Sequence, residues 1–443
     1  MASRKAKWWG IGLGLAAVLL VGTILLVWWG RRSAIRELER QLALSPADEA
    51  WLASLPVLTD AQQSRVQVIH RNQWPNPDVP FRGGVDWAFR GQPPDPGLLE
   101  RHELCREHAD RLAELLAVEG ICLSGAAFAR RPDGELRAYD DPLRTMGNLL
   151  VSRGMATWLG LEVLLVEDPE PVLVQLDRLE EALRPVAGII DAMIHASVVY
   201  ERDSAHLRCA VQGRLSAARR ARWLAEPSRT RALSREAQRA ERVLALAPIA
   251  RDTANGDPRA LRMLYGDDAS FVERFEWQVR DPGRYLRSVE AVRFAEACVE
   301  ADDFGPVLTG PDAPSAEDPW ALRPEGLLWT ILTQRAAQRL MRLAAELQAL
   351  GEAAPADEAA LQRDHPELAA RMQSGPWDLA LAYERLSPTR IRVFVSPTTP
   401  LPVPFGGRRA ELPTRGVTTT EKPKDPMPVL DLRFDDIRVD LRR

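Results

Sequence analysis

The chain has 443 residues, which at roughly 150 residues per domain points to about three domains or one large domain with appendages. Apolar residues make up 46% and charged residues 27%, ordinary values for a folded protein that exclude a mostly disordered or collagen-like chain. The 58 basic and 62 acidic residues leave a formal charge of −4, so no overall field draws nucleic acid and no nucleic-acid partner is expected. Lysine occurs only at Lys5, Lys7, Lys422 and Lys424. A P-loop needs a lysine on its phosphates and Schiff-base or Ser-Lys chemistry needs a lysine amine, so none of these fits the body between Trp8 and Glu421.

Residues 1–7 form a short basic tail, and 8–30 predict a transmembrane helix. Gly10 to Val27 carries no charge and is bracketed by Trp8 and Trp9 on one side and by Trp28 and Trp29 on the other. As a helix this run spans about 27 Å, close to the hydrocarbon thickness, with the indoles at the two interfaces. A signal peptide would end in small residues, whereas this run ends in two tryptophans and Arg31-Arg32, so an uncleaved signal anchor in a lipid bilayer is expected. Three basic residues precede the helix and four follow at Arg31, Arg32, Arg36 and Arg40, which sets no orientation; the body is expected to be extracytoplasmic. Gly10, Gly14 and Gly22 share one stripe of the anchor, where small residues let two helices approach, so a homodimer through this face is a candidate.

Residues 31–71 read as a stalk and short helices: SAIRELERQLAL has an amphipathic period, Ser45-Pro46 caps a helix through Leu55, and Thr59 opens another toward His70. A main helical domain is expected over 72–304. It starts with an irregular aromatic and proline segment, Asn72 to Pro96, where prolines forbid a helix. Trp74, Phe81, Arg82, Trp87, Phe89 and Arg90 in this segment are the candidate partner surface, the rival reading being a clasp that pins the loop to the helices beneath. Helix resumes over Pro96 to Val118. A β-hairpin is predicted around Arg131-Pro132-Asp133-Gly134, and helices then follow from Pro142 to about Ala301 with breaks at Asp168-Pro169, Glu226-Pro227, Asp257-Pro258 and Asp281-Pro282. Pro185 to Leu224 reads as one long helix whose end, Arg214 to Arg222, is a solvated basic face.

A linker is expected at 305–319, followed over 320–397 by a helix from Trp320 to Leu350, a shorter one from Glu358 to Met372, and a C-terminal β-hairpin. Its strands are Leu379 to Leu386 and Arg390 to Val395, with Leu379, Leu381 and Tyr383 facing Ile391, Phe394 and Val395. Residues 398–443 read as an extended tail ending in a strand. The fold class is therefore mostly α: an N-terminal transmembrane helix followed by a multi-helix body with short β-hairpins.

Chemistry is sparse. In HELCREH, His102 and His108 are six residues apart, about 120° around a helix, which fails the i,i+4 spacing of a zincin; Cys105 adds only an i,i+3 partner and no further ligand is local. His195 and His206 lie about 16 Å apart along one helix and read as packing or surface residues. Asp140-Asp141, Asp267-Asp268 and Asp302-Asp303 fall at expected caps and turns, and Asp435-Asp436 at a strand irregularity. Cys105, Cys122, Cys209 and Cys298 have no spacing that demands a disulfide and read as buried thiols. No catalytic residue, metal or cofactor is assigned.

The runs LRTMGNLLVSRGMATWLGLE, VLVQLDRLEEALRP and GIIDAMIHASVVYERDSAHLRCAVQGRL resemble the helical body of single-anchor membrane proteins of GC-rich bacteria that have no assigned activity. GPWDLALAYERLSPTRIRVFVS resembles a degenerate C-terminal segment of type II secretion pseudopilins, with Gly375-Pro376-Trp377 in place of the aspartate-proline-tryptophan order. One anchor and a large body without a catalytic signature lead to the expectation of an envelope scaffold or protein-interaction module. The alternative is a membrane-anchored envelope hydrolase with a nonlocal Asp, Glu or His site.

Overall fold

The computed structural model describes residues 2–71, 96–104, 106–124, 142–247, 255, 281–302, 324–373, 375, 378–387, 390–396 and 437–440. Among these residues the protein is mostly helical, with one antiparallel sheet. The aromatic and proline segment, the turn of the expected first hairpin and the 305–319 linker lie outside the described residues.

Helix α1 (Ala2–Gln41) runs without a break through the apolar stretch and beyond it, and is long and apolar enough to cross a membrane. Leu15 and Leu19 are each 64% exposed and Trp29 is 66% exposed, so none of the described residues covers this stretch. Two turns further on, Leu38 and Leu42 are buried against Leu246, Ala247, Val289 and Val292. The segment expected to be a stalk is thus part of the body, because its apolar positions find a core rather than solvent. Helix α2 (Pro46–Ser54) starts in a capping box in which the Ser45 hydroxyl accepts from the Asp48 amide at 3.1 Å and the Asp48 carboxylate accepts from the Ser45 amide at 3.1 Å. Thr59 and Gln62 exchange the same pair of bonds at the start of α3 (Asp60–Arg71).

Helices α4 (Pro96–Leu104) and α5 (Arg106–Leu116) occupy the stretch read as one helix, and α6 (Pro142–Leu165) and α7 (Glu170–Ala182) are separated at Asp168-Pro169 as expected. The long helix expected from Pro185 to Leu224 is instead α8 (Ile189–Val211) and α9 (Ala217–Ala225). Gly213 at φ +70° stops α8: its amide bonds to the Ala210 carbonyl at 3.1 Å, and that of Arg214 reaches Cys209 at 2.8 Å. This paired closure needs a left-handed residue, which glycine adopts without strain. Helix α10 (Thr230–Ala240) continues into a π-helical turn, Glu241–Leu246, and is followed by α11 (Asp281–Ala301) and α12 (Pro324–Leu350). The helix expected from Glu358 to Met372 is broken at His365 into α13 (Glu358–Asp364) and α14 (Pro366–Ala370), with Pro366 beginning the second.

Strands β1 (Leu381–Ser387), β2 (Arg390–Val395) and β3 (Ile437–Asp440) pair antiparallel in that order. Leu381 faces Val395 and Tyr383 faces Val393, and with Ile391 all are buried against α12. Phe394, expected inward, lies on the opposite face, because strand side chains alternate and Val393 and Val395 take the inner positions. Arg392 instead stacks its guanidinium 4.5 Å from the Phe394 ring centre.

Helix α8 is the axis of the body, flanked by α6, α7, α10 and α12. Its outer turns join two apolar clusters: Val198, Ala205 and Cys209 pack with α6 and α7, while Leu207 and Ala210 pack with Trp223, α12 and the sheet. The segment before 305 and the one after 319 therefore share a core. Cys122, Cys209 and Cys298 are buried.

Candidate functional site

An otherwise apolar helix would bury hydrocarbon all round, yet α8 carries His195, Arg202, Asp203 and His206 inside the body. Charges so placed must be paired. Arg202, only 5% exposed, donates to Glu226 at 2.7 and 3.1 Å and to Asp203 at 2.9 and 3.2 Å, and it also contacts Glu180 at the end of α7. Asp203 accepts from the Trp223 indole at 3.0 Å. Arg342 of α12 donates to the Glu226 carbonyl at 2.6 Å, so four helical segments meet at one network.

The electrostatics follow from this placement. Burial acts to raise the Asp203 carboxyl, but Arg202 and Arg342 together with His206 hold it below its ordinary range. Glu180 is pushed up by burial despite the attraction of Arg202 and Arg184. His195 is pushed down to about 3, first by burial and then by the guanidinium groups of Arg184, Arg202 and Arg229. Arg184 donates to His195 Nε2 at 3.3 Å, which occupies the lone pair that a general base would need. His206 is lowered by burial, stacks on Trp223 with ring centres 5.4 Å apart, and directs Nδ1 at the Arg202 carbonyl at 2.8 Å, so that nitrogen carries the proton.

Above this network lies a narrow cleft between α8, α10 and α12, walled by Val199, Leu233 and Ile331. It leaves about 30 Å³ for water-sized molecules, and a single water needs about 10–15 Å³, so one or two waters fit. A second cluster ties α2 to the π-helical turn and α11: Arg242 makes a two-pronged pair with Asp48 at 3.0 and 3.1 Å and reaches Glu296 at 3.1 and 3.3 Å. Beside it is a cavity of about 310 Å³ lined by Ala43, Ser45 and Arg293 as well as these three residues.

Of the residues singled out from sequence and described, His195 and His206 lie in the central network, in the packing role expected of them, whereas the anchor glycines and His102 lie at neither place. Trp74, Phe81, Arg82, Trp87, Phe89 and Arg90 lie outside the described residues, as does Cys105. Gly10, Gly14 and Gly22 lie on α1, and a Cβ added at Gly22 would meet nothing within 4 Å. His102 is buried between α4 and α6, where it contacts Glu162 and stacks on Trp158 with ring centres 5.0 Å apart. The basic stretch Arg214 to Arg222 is not a solvated face throughout. Arg214 donates to the carbonyls of Val163, Val166 and Glu167 at the end of α6, and Arg219, 3% exposed, pairs with Asp177 and Glu170. Orphan carbonyls at a helix C-terminus attract a cation, which explains Arg214. Asp302 ends α11 with φ +56°, a turn role as expected.

The central network went unread because its members are far apart in sequence. Its signal was there: Arg202-Asp203 interrupts the apolar period of α8 on the side that packs. No family model, curated protein or solved structure matches the chain.

Proposed function

We propose that the chain is a single-pass membrane protein of the bacterial envelope whose helical body serves as a scaffold or protein-interaction module, held on the extracytoplasmic side. The observation that carries this is α1, whose bare apolar stretch runs straight into a segment docked in the body through Leu38 and Leu42. Such a helix fixes the body close to the bilayer, since Trp29 and Leu38 are only about 14 Å apart along it. Arg32 lies 5.2 Å over the Trp28 ring, an arrangement suited to an interfacial tryptophan beside lipid headgroups. The resemblance to single-anchor proteins points the same way, and the stripe of Gly10, Gly14 and Gly22 would admit a second anchor.

A hydrolase would need a free acid or base in its cleft. Here Glu180 and Glu226 are engaged by arginines, and His195 accepts from Arg184, so the alternative is not favoured. The test is alkaline extraction of membranes from expressing cells, combined with reporter fusions at Arg443. The full chain should stay in the pellet and a chain starting at Arg31 should leave it, with reporter activity outside the cytoplasm. Release of the full chain would overturn the anchor, and cytoplasmic reporter activity would overturn the orientation.

A further inference from the structure

Directly past Trp29, α1 carries Arg31, Arg32 and Arg36 within two turns. Arg40, further out, is held by Glu37 at 2.9 Å, but none of these three arginines makes a hydrogen bond or an ion pair among the described residues. Arg32 has only the Trp28 ring, 5.2 Å from its guanidinium. The Nε of Arg31 is shielded from solvent and still has no acceptor among the described residues. Trp28, Arg32 and Arg36 follow one another at four-residue steps, so the two exposed arginines stand one above the other on one face of the helix. Like charges at that spacing destabilise a helix unless a counter-charge is near.

The neighbouring acids do not supply it. Glu37 is engaged by Arg40 and Gln41, and Glu290 of α11 by Gln41 at 3.3 Å. Glu39 is exposed and pairs with no arginine among the described residues. Over Arg31 to Gln41 and the adjoining turns of α11, Tyr285 to Arg293, six arginines stand against these three glutamates. Asp281 and Arg284, at the start of α11, cancel in formal charge. All three glutamates lie farther along α1 from Trp29 than Arg36 does, Glu290 by its bond to Gln41, so the excess positive charge is concentrated at the edge of the bare apolar stretch.

We propose that Arg31, Arg32 and Arg36 are a docking surface for lipids with an anionic phosphodiester headgroup, in the leaflet on the side of the body. This rests on the reading of α1 as a bilayer anchor. At 1.5 Å per residue the three arginines start about 3 to 10 Å beyond Trp29, and the headgroup layer is about 5–8 Å thick on each side, so their guanidinium groups reach lipid phosphates. A guanidinium offers paired donors that match phosphate oxygens. The docking of Leu38 and Leu42 in the body holds the arginines at this height. Lipid occupies that layer already, whereas an acidic protein segment would have to displace it from around the exposed Trp28 and Trp29.

The test is electron spin resonance of the full chain in phosphatidylcholine vesicles containing a trace of spin-labelled phosphatidylglycerol or spin-labelled phosphatidylcholine. Arg4, Lys5 and Lys7 are changed to glutamine throughout, so that the opposite leaflet contributes no preference. Both labels should show a motionally restricted fraction, and phosphatidylglycerol should be preferred at least about fivefold, the worth of one basic residue at an anionic surface. The preference should fall at about 1 M salt, where the screening length is about 3 Å. Arg31→Gln, Arg32→Gln and Arg36→Gln together should abolish it, whereas lysine at the same three positions should retain most of it. The three side chains hold no partner among the described residues, so both variants should melt with the parent chain, and the lysine set separates loss of charge from misfolding. Equal restriction of the two lipids in the parent chain, or a preference that survives the glutamine changes, overturns the docking surface and leaves the anchor standing. Absence of a restricted fraction for either lipid overturns the anchor and the surface together.

Discussion

Glu241 shows most clearly how a single residue can set the response of the body to pH. It is buried at the start of the π-helical turn, where its carboxylate accepts from the Ile189 amide at 2.9 Å, and burial, opposed by that bond, pushes it up to about 7. A carboxyl raised from an ordinary value of 4.5 favours the folded state fully below about pH 4.5, and this contribution is lost as pH rises through about 7. Glu241→Gln keeps the acceptor and removes the titration. The variant should therefore gain on the native chain by up to about 3 kcal/mol between roughly pH 5 and pH 8, read from urea melts at both ends. Arg202→Met should lower stability by about 3–5 kcal/mol, because Glu180, Asp203 and Glu226 lose the cation they share. Neither role was legible in the sequence: Glu241 reads as an ordinary helical acid, and only folding brings Glu180 and Glu226 to Arg202. The capping pairs at Ser45 and Thr59 were legible, since their partners lie three residues away.

Elements whose signals are local came through in the same way. The breaks at Asp168-Pro169 and Glu226-Pro227 and the hairpin across Ser387-Pro388 rest on proline and on alternation, which act within a few residues. The end of α8 was missed because apolar residues continue across it and the only mark is Gly213, which a periodicity reading passes over. A Cβ at Gly213 would meet no atom within 4 Å, so Gly213→Ala isolates the left-handed backbone requirement. It should cost about 1–2 kcal/mol in a thermal or urea melt. A neutral result would show that α8 and α9 can be joined differently. Phe394 was misplaced by one position, and a shift of one residue reverses a strand face.

At the scale of the whole molecule, the apolar N-terminal helix and the body are joined without a break. The apolar run and its flanking tryptophans were plain in the sequence, but the docking of Leu38 and Leu42 was not, because an amphipathic period after a membrane helix is equally that of a free stalk. Leu38→Ala should destabilise the body by about 2–5 kcal/mol, whereas Leu19→Ala, on the uncovered stretch, should leave its melt unchanged. Hydrogen exchange on the full chain in lipid nanodiscs tests the central claim most directly. Amides of Leu15 to Trp29 should be protected by lipid, and those of Leu38 to Leu42 should exchange as slowly as Val289 to Val299 of α11. Rapid exchange over Leu38 to Leu42, or protection of Leu15 to Trp29 that is the same without lipid, would contradict a bilayer anchor docked into the body.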